Sequence, residues 1–193
     1  TSLAWHPKTT HQMIASGGSD RTIRLTVLDE KGSFPLRSHQ AGITSVKFNP
    51  NGDYLFSAGW DKLFKIWDVN KRVLKFSLNG FPGVIRSIDT HSKEKKIACV
   101  GDSNEVKIWS ELGNFSDSIE TPLDTIGVIE YRKGSDNVIV SGTTSQQPMT
   151  YEINTHSKDV IHTLKEPDLI KAMTTLENKI ITAGGRNCAG HIT

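Results

Sequence analysis

Three residues in one stretch of the chain are of the types that make a hydrolytic triad: His39, Ser57 and Asp61. A serine becomes a nucleophile when a neighbouring base takes its proton and preorganised donors hold the oxyanion that forms. It also has to be exposed. Ser57 instead falls in the middle of the apolar run YLFSA (54–58), with no Gly-x-Ser-x-Gly elbow around it. Triads are defined by geometry and not by residue type, so these three read as structural polar groups, and no catalytic residue is assigned. Other chemistry finds as little support. No Gly-x-x-x-x-Gly-Lys-[Ser/Thr] loop is present to cradle phosphates. His6 and His11 flank a Pro-Lys turn and lie off any helix, which does not suit a metal. Lys93-Glu94-Lys95-Lys96 reads as a solvated hairpin loop. No metal and no cofactor is expected.

The 193 residues carry 23 Lys and Arg against 21 Asp and Glu, a net charge of +2. That balance argues against recruitment by bulk electrostatics to nucleic acid or to an anionic membrane. No apolar run approaches the roughly 18 residues of a membrane helix, and no signal-peptide pattern opens the chain. Cys99 sits in the apolar IACVG, where a free cysteine packs as a small hydrophobe. With Cys188 it makes neither a disulfide framework nor a zinc spacing. A reduced, intracellular setting is expected, cytoplasm or nucleus, and the Asn114-Phe-Ser sequon is then a chance match.

The elements that would position such residues repeat. The stretches IASGGSD, LFSAGWD, IACVGDS, IVSGTTS and IITAGGR each run an apolar strand into a small-residue turn. Their corresponding positions Ser16, Ser57, Cys99, Ser141 and Thr182 are 41, 42, 42 and 41 residues apart. Ten residues later stand Thr26, Trp67, Trp109, Tyr151 and Ile192. A period of about 41 residues is that of a four-stranded propeller blade. In the second repeat the strands read ITSVKF (43–48), YLFSA (54–58), LFKIWDV (63–69) and VLKFSL (73–78), punctuated by Asn, Gly and Asp turns. Apolar residues on both faces of LFKIW fit sheets covered on either side. The expected fold is all-β: four full blades and an incomplete fifth, bounded near 1–38, 39–79, 80–120, 121–165 and 166–193.

From Ser38-His39 to Trp67-Asp68 the second repeat strongly resembles the WD repeat. In that family a His, a Ser, an Asp and a Trp form a hydrogen-bonded tetrad, and His39, Ser57, Asp61 and Trp67 stand at those places. The other copies are degenerate. The first keeps Ser16 and Asp20 but has Thr26 for Trp. The third has Phe81, Cys99 and Ser103 with Trp109 retained; the fourth keeps Ser141 and Tyr151; the fifth has Arg186 and Ile192. A buried Asp is costly unless paired and hydrogen-bonded, and indole, hydroxyl and imidazole can satisfy it and one another.

The resemblance implies a seven-bladed ring, of which this chain, beginning at Thr1, would be a part, with the missing blades in the same longer protein or in a partner; a closed five-bladed ring is the minority reading. It implies a scaffold that binds proteins within a larger complex and performs no catalysis. Direct contact with nucleic acid in a processing machine is the second reading, and an active site at the channel mouth the third. In the family the turn between second and third strands faces the rim where partners dock. Trp60 is the candidate anchor there, with Ser19, Asp102, Arg86, Gln40, Phe81 and Asp124 as further rim residues. The Trp-Asp-x-Arg ending of cullin-ligase substrate receptors is absent: Trp67-Asp68-Val69-Asn70 stands instead.

Overall fold

The computed structural model describes residues 2–8, 10, 12–28, 32–176, 179–184 and 191–192. Every element of regular structure among them is a strand or a short turn. The first sheet holds β1 (Ser2–Trp5), β2 (Met13–Gly17), β3 (Thr22–Val27) and β4 (Gly32–Arg37). The second holds β5 (Ile43–Phe48), β6 (Tyr54–Gly59), β7 (Phe64–Asp68) and β8 (Val73–Leu78). The third holds β9 (Ile85–Thr90), β10 (Lys96–Gly101), β11 (Glu105–Ser110) and β12 (Phe115–Glu120). The fourth holds β13 (Thr125–Tyr131), β14 (Asn137–Thr143), β15 (Pro148–Asn154) and β16 (Val160–Lys165). A fifth has three described strands, β17 (Ile170–Leu176), β18 (Lys179–Gly184) and β19 (His191–Ile192). Each sheet is an antiparallel meander in chain order. Arg186 and Cys188 lie outside the described residues, as does His11.

Alternation of side chains along a strand explains how the sheets stack. In β6, Leu55 turns back to the first sheet and joins Ala15, Ile23, Leu25 and Trp67. Its neighbour Phe56 turns forward and joins Phe64, Ile85, Ile97 and Cys99 of the second and third sheets. The next interface buries Ala98, Val106 and Ile108 against Ile126, Val138 and Tyr151. Interior sheets are therefore apolar on both faces, which is why LFKIW shows no polar side. The first strands contact one another in sequence, β1 to β5 to β9 to β13 to β17, and form the concave inner wall. The fourth strands lie outermost; the first five residues of β8 are all exposed. The sheets succeed one another as an arc that does not close into a ring.

The inner wall is held by side chains that capture backbone N–H groups of the following sheet. Ser2 accepts from Val46 N (3.2 Å), Ser45 from Ile88 N (3.3 Å) and Ser87 from Ile129 N (3.4 Å). Asp89 accepts from Tyr131 N (2.7 Å) and Glu130 from Thr175 N (3.0 Å). These bonds satisfy edge-strand donors that would otherwise be bare.

A second feature recurs where each second strand ends. A β-carbon at Gly59, Gly101, Gly142 or Gly184 would stand 2.4, 1.9, 2.0 and 2.1 Å from the carbonyl oxygens of Gly42, Val84, Thr125 and Leu169. Backbone cannot move aside as a flexible side chain can, so these positions admit no side chain. Gly101→Ala is expected to cost about 3 kcal/mol in urea unfolding, whereas Gly127→Ala, whose nearest contacts would be 3.7 Å away, stays close to neutral. Equal costs for the two would refute this account.

Candidate functional site

His39 arrives from the loop before β5, Ser57 from the middle of β6, Asp61 from the turn after it and Trp67 from β7. Ser57 and Trp67 share the face turned to the first sheet because Ser57 pairs with Lys65 and Leu55 with Trp67. The Trp67 indole N–H donates to Ser57 Oγ at 2.8 Å. Ser57 and His39 Nε2 are 2.7 Å apart, and His39 Nδ1 and Asp61 Oδ2 2.8 Å apart. One assignment of protons satisfies every group: indole to hydroxyl, hydroxyl to Nε2, and Nδ1–H to carboxylate. Burial holds the His39 imidazole below its usual pKa, outweighing the Asp61 carboxylate beside it. The ring is thus neutral, as this assignment requires. Asp61 also accepts from Gln40 N (3.0 Å) and Leu63 N (3.2 Å), which fixes the turn.

These three residues have the connectivity of a hydrolytic triad, but Ser57 has no exposed surface and its oxygen already accepts from Trp67. No substrate carbonyl can reach it. The network instead ties the second and third strands to the loop that carries Gln40 and the turn that carries Trp60.

The third sheet shows the same place without the polar groups. Phe81 and Cys99 pack with Trp109 in an apolar cluster, and Trp109 Nε1 is buried without a hydrogen-bond partner. Burial pushes the Cys99 thiol far above its ordinary pKa, so it is no reactive thiolate. Ser103 keeps one half of the Asp role, accepting from Glu105 N at 3.4 Å, and drops the other. In the first sheet Asp20 accepts from Thr22 N and pairs with Arg24 at 2.7 Å, and that guanidinium holds its carboxyl below the usual range.

The fourth repeat corrects the sequence alignment. Val140, not Ser141, lies opposite Tyr151, and Ser141 lies opposite Thr150. Gly142 follows Ser141 as Gly59 follows Ala58, so Ser141 stands one place late and Val140 takes the position of Ser57; Tyr151, opposite Val140, then stands at the place of Lys65, and Ile153, opposite Val138, at that of Trp67. Val140 and Tyr151 face the third sheet, whereas Ser141 bonds Thr150 on the opposite face, and Thr150 in turn reaches Glu166 at 2.8 Å.

The residues expected at the rim divide. Trp60 is 58% exposed. Its N–H donates to Gly42 O, and a methyl at Gly42 would stand 3.6 Å from the indole and 3.4 Å from the Ser19 α-carbon. Trp60 and the exposed Ser19 are therefore brought together across two sheets. Arg86 and Asp102 are brought together as an ion pair. Gln40 and Asp124 are exposed, Asp124 standing apart at the fourth sheet. Phe81 is not a rim contact: at 7% exposure it is core, filling the place of His39 beside Cys99 and Trp109.

Sequence reasoning missed two lysines. Lys65 donates to Ser38 O and Oγ (3.1 and 3.0 Å), and Lys107 to Gly80 O (2.7 Å), each tying its third strand to the loop ahead of its sheet. The signal was present as Lys-Ile-Trp, at 65–67 and again at 107–109.

Residues 1–26 and 31–68 match the family described as WD domain, G-beta repeat. With this repeat geometry and these matches, the chain belongs to the WD-repeat family. It is 33% identical over 114 residues to the probable coatomer subunit beta' of Schizosaccharomyces pombe, covering 58% of this chain and 14% of that protein. It is 30% identical over 139 residues to eukaryotic translation initiation factor 3 subunit I of Scheffersomyces stipitis, covering 70% of this chain and 40% of that protein. It is 30% identical over 102 residues to the Arabidopsis thaliana transcriptional corepressor LEUNIG_HOMOLOG, covering 51% and 13%. The matched part is thus less than half the length of each of these relatives.

Ser57→Ala strips a partner from both Trp67 and His39 and is expected to cost about 2 to 3 kcal/mol. Cys99→Ala removes a group from a place whose indole already lacks an acceptor and should cost about 1 kcal/mol. Urea unfolding of the two variants compares them; equal losses would show that the network adds nothing beyond packing.

Stability should also follow His39. Its folded pKa lies below the unfolded one, so its contribution is complete above about pH 6.5 and declines as pH falls through that value towards the lowered one. The thermal midpoint of the protein should drop between about pH 7.5 and about pH 5.5, and His39→Gln, though less stable at the upper pH, should drop less. A parallel decline in the two proteins would remove His39 as the cause.

Proposed function

We propose that this chain is part of a non-catalytic WD-repeat scaffold that docks protein partners on its turn rim inside a multiprotein complex. The observation that carries this reading is Trp60: a large aromatic more than half exposed, on a turn held by the buried His39–Ser57–Asp61–Trp67 network. An exposed indole on a rigid support has the makings of a binding anchor, because it offers a large contact area with little entropy to lose. The burial of Ser57 supports the absence of hydrolytic chemistry there. Two of the similar proteins carry the word subunit in their names, coatomer and initiation factor 3, and this supports an assembly role. We read the outward face of the first sheet as the seat of a further blade, from the same protein or a partner. Leu3 and Trp5 are 70% and 67% exposed there, at the places where the second sheet buries Val46 and Phe48.

Affinity capture with the tagged full-length protein, followed by quantitative mass spectrometry, tests the anchor. Trp60→Ala should lose captured partners while its melting temperature moves by no more than about 1–2 °C, as for a surface change. Unchanged capture, or a large loss of stability, would reject Trp60 as the anchor.

A further inference from the structure

The first strands of the second to fifth sheets each carry a β-bulge. Pairing skips one residue in each: Thr44, Arg86, Gly127 and Lys171. A bulge re-aims the side chain of its extra residue. All four skipped residues line one cavity of about 460 Å³ on the concave wall. Its other walls include Thr125, Thr143 and Leu169.

The charge of this cavity is one-sided. Its lining holds two cations, Arg86 and Lys171, and no carboxylate. Asp102, outside the lining, engages Arg86 through Nε only, which leaves the terminal guanidinium nitrogens available. Lys171 is exposed and forms no ion pair among the described residues. Thr125 and Thr143 share one hydroxyl–hydroxyl bond of 2.9 Å, so one of the two protons remains to be donated. Gly127 stands between the two cations in the chain of bulges. A β-carbon there would meet nothing closer than 3.7 Å, so the absence of a side chain is what keeps the space open.

We propose that this cavity receives an anionic side chain of an extended peptide, a phosphate or a carboxylate, placed over Gly127 between Arg86 and Lys171. The inference rests on the reading of the rim as a docking surface and names the chemistry of what docks. Two cations and a free hydroxyl donor supply charge-assisted hydrogen bonds to an oxyanion. The apolar flank at Leu169 accommodates the stem that carries it.

The test uses the full-length protein and fluorescein-labelled degenerate peptide pools whose central residue is fixed as phosphoserine, aspartate or alanine. Fluorescence anisotropy should show an acidic pool bound about tenfold or more tighter than the alanine pool, with the preference shrinking as salt rises. The ratio of phosphoserine to aspartate binding assigns the anion as phosphate or carboxylate. Gly127→Met and Lys171→Gln should each abolish the preference while leaving the melting temperature unchanged. Equal binding of the three pools, a preference that survives Gly127→Met, or tighter binding of a single-stranded oligonucleotide than of either acidic pool would overturn the proposal. If the preference is absent while Trp60→Ala still releases partners, the docking reading stands and this inference falls. If the preference is present while Trp60→Ala releases nothing, only the anchor is lost.

Discussion

At the start of each first strand from the second sheet onward, a carbonyl oxygen presses on the second strand at a point where a side chain cannot stand. Gly59, Gly101, Gly142 and Gly184 exist to admit that contact. The contact and the bulge belong together: the first strand must rise over its neighbour, and in doing so it gives up one pairing position. The residue released from pairing at 44, 86, 127 or 171 lines the cavity on the concave wall. A backbone packing constraint thus determines which positions line the concave wall, and because their backbone is free of ladder pairing they differ in chemistry from sheet to sheet: Thr44, Arg86, Gly127 and Lys171.

The buried polar network follows a different economy. In the second sheet it is complete, and each group has its partner. In the third, Phe81 and Cys99 replace the imidazole and the hydroxyl together, so that of the groups at the tetrad places the Trp109 indole is left without a partner. Partial removal would have left more orphaned atoms in a dry interface, at a cost that packing could not return. In the third copy the imidazole and the hydroxyl are therefore lost in concert. The lysines at 65 and 107 survive in both sheets because they act on loop carbonyls and not on the network.

Much of this fold was legible in the sequence. The recurrence from Ser16 to Thr182 reports one four-stranded unit per period, and the two-sided apolar pattern of LFKIW reports a sheet enclosed by neighbours. The complete tetrad could be read because all four residue types are present at once. The face taken by Ser141 was not legible, since a shift of a single residue reverses the direction of a side chain without disturbing the period. Phe81 reads as rim because it stands in the loop before a first strand, but it also holds the place of His39, and that place is buried. The bulges left only an indirect trace, the glycine at or next to the end of the second strand in the second to fifth sheets. The cavity they line joins residues from four repeats, and no local pattern reports such a convergence.

The hydroxyls and carboxylates of the inner wall have a direction. Ser2, Ser45, Ser87, Asp89 and Glu130 all belong to the earlier sheet, and the N–H groups they accept from all belong to the later one. On the ribosome the earlier sheet is the first to leave the tunnel. Each newly made first strand then finds its acceptors already in position, so the arc of sheets can be assembled as a ratchet that advances with translation.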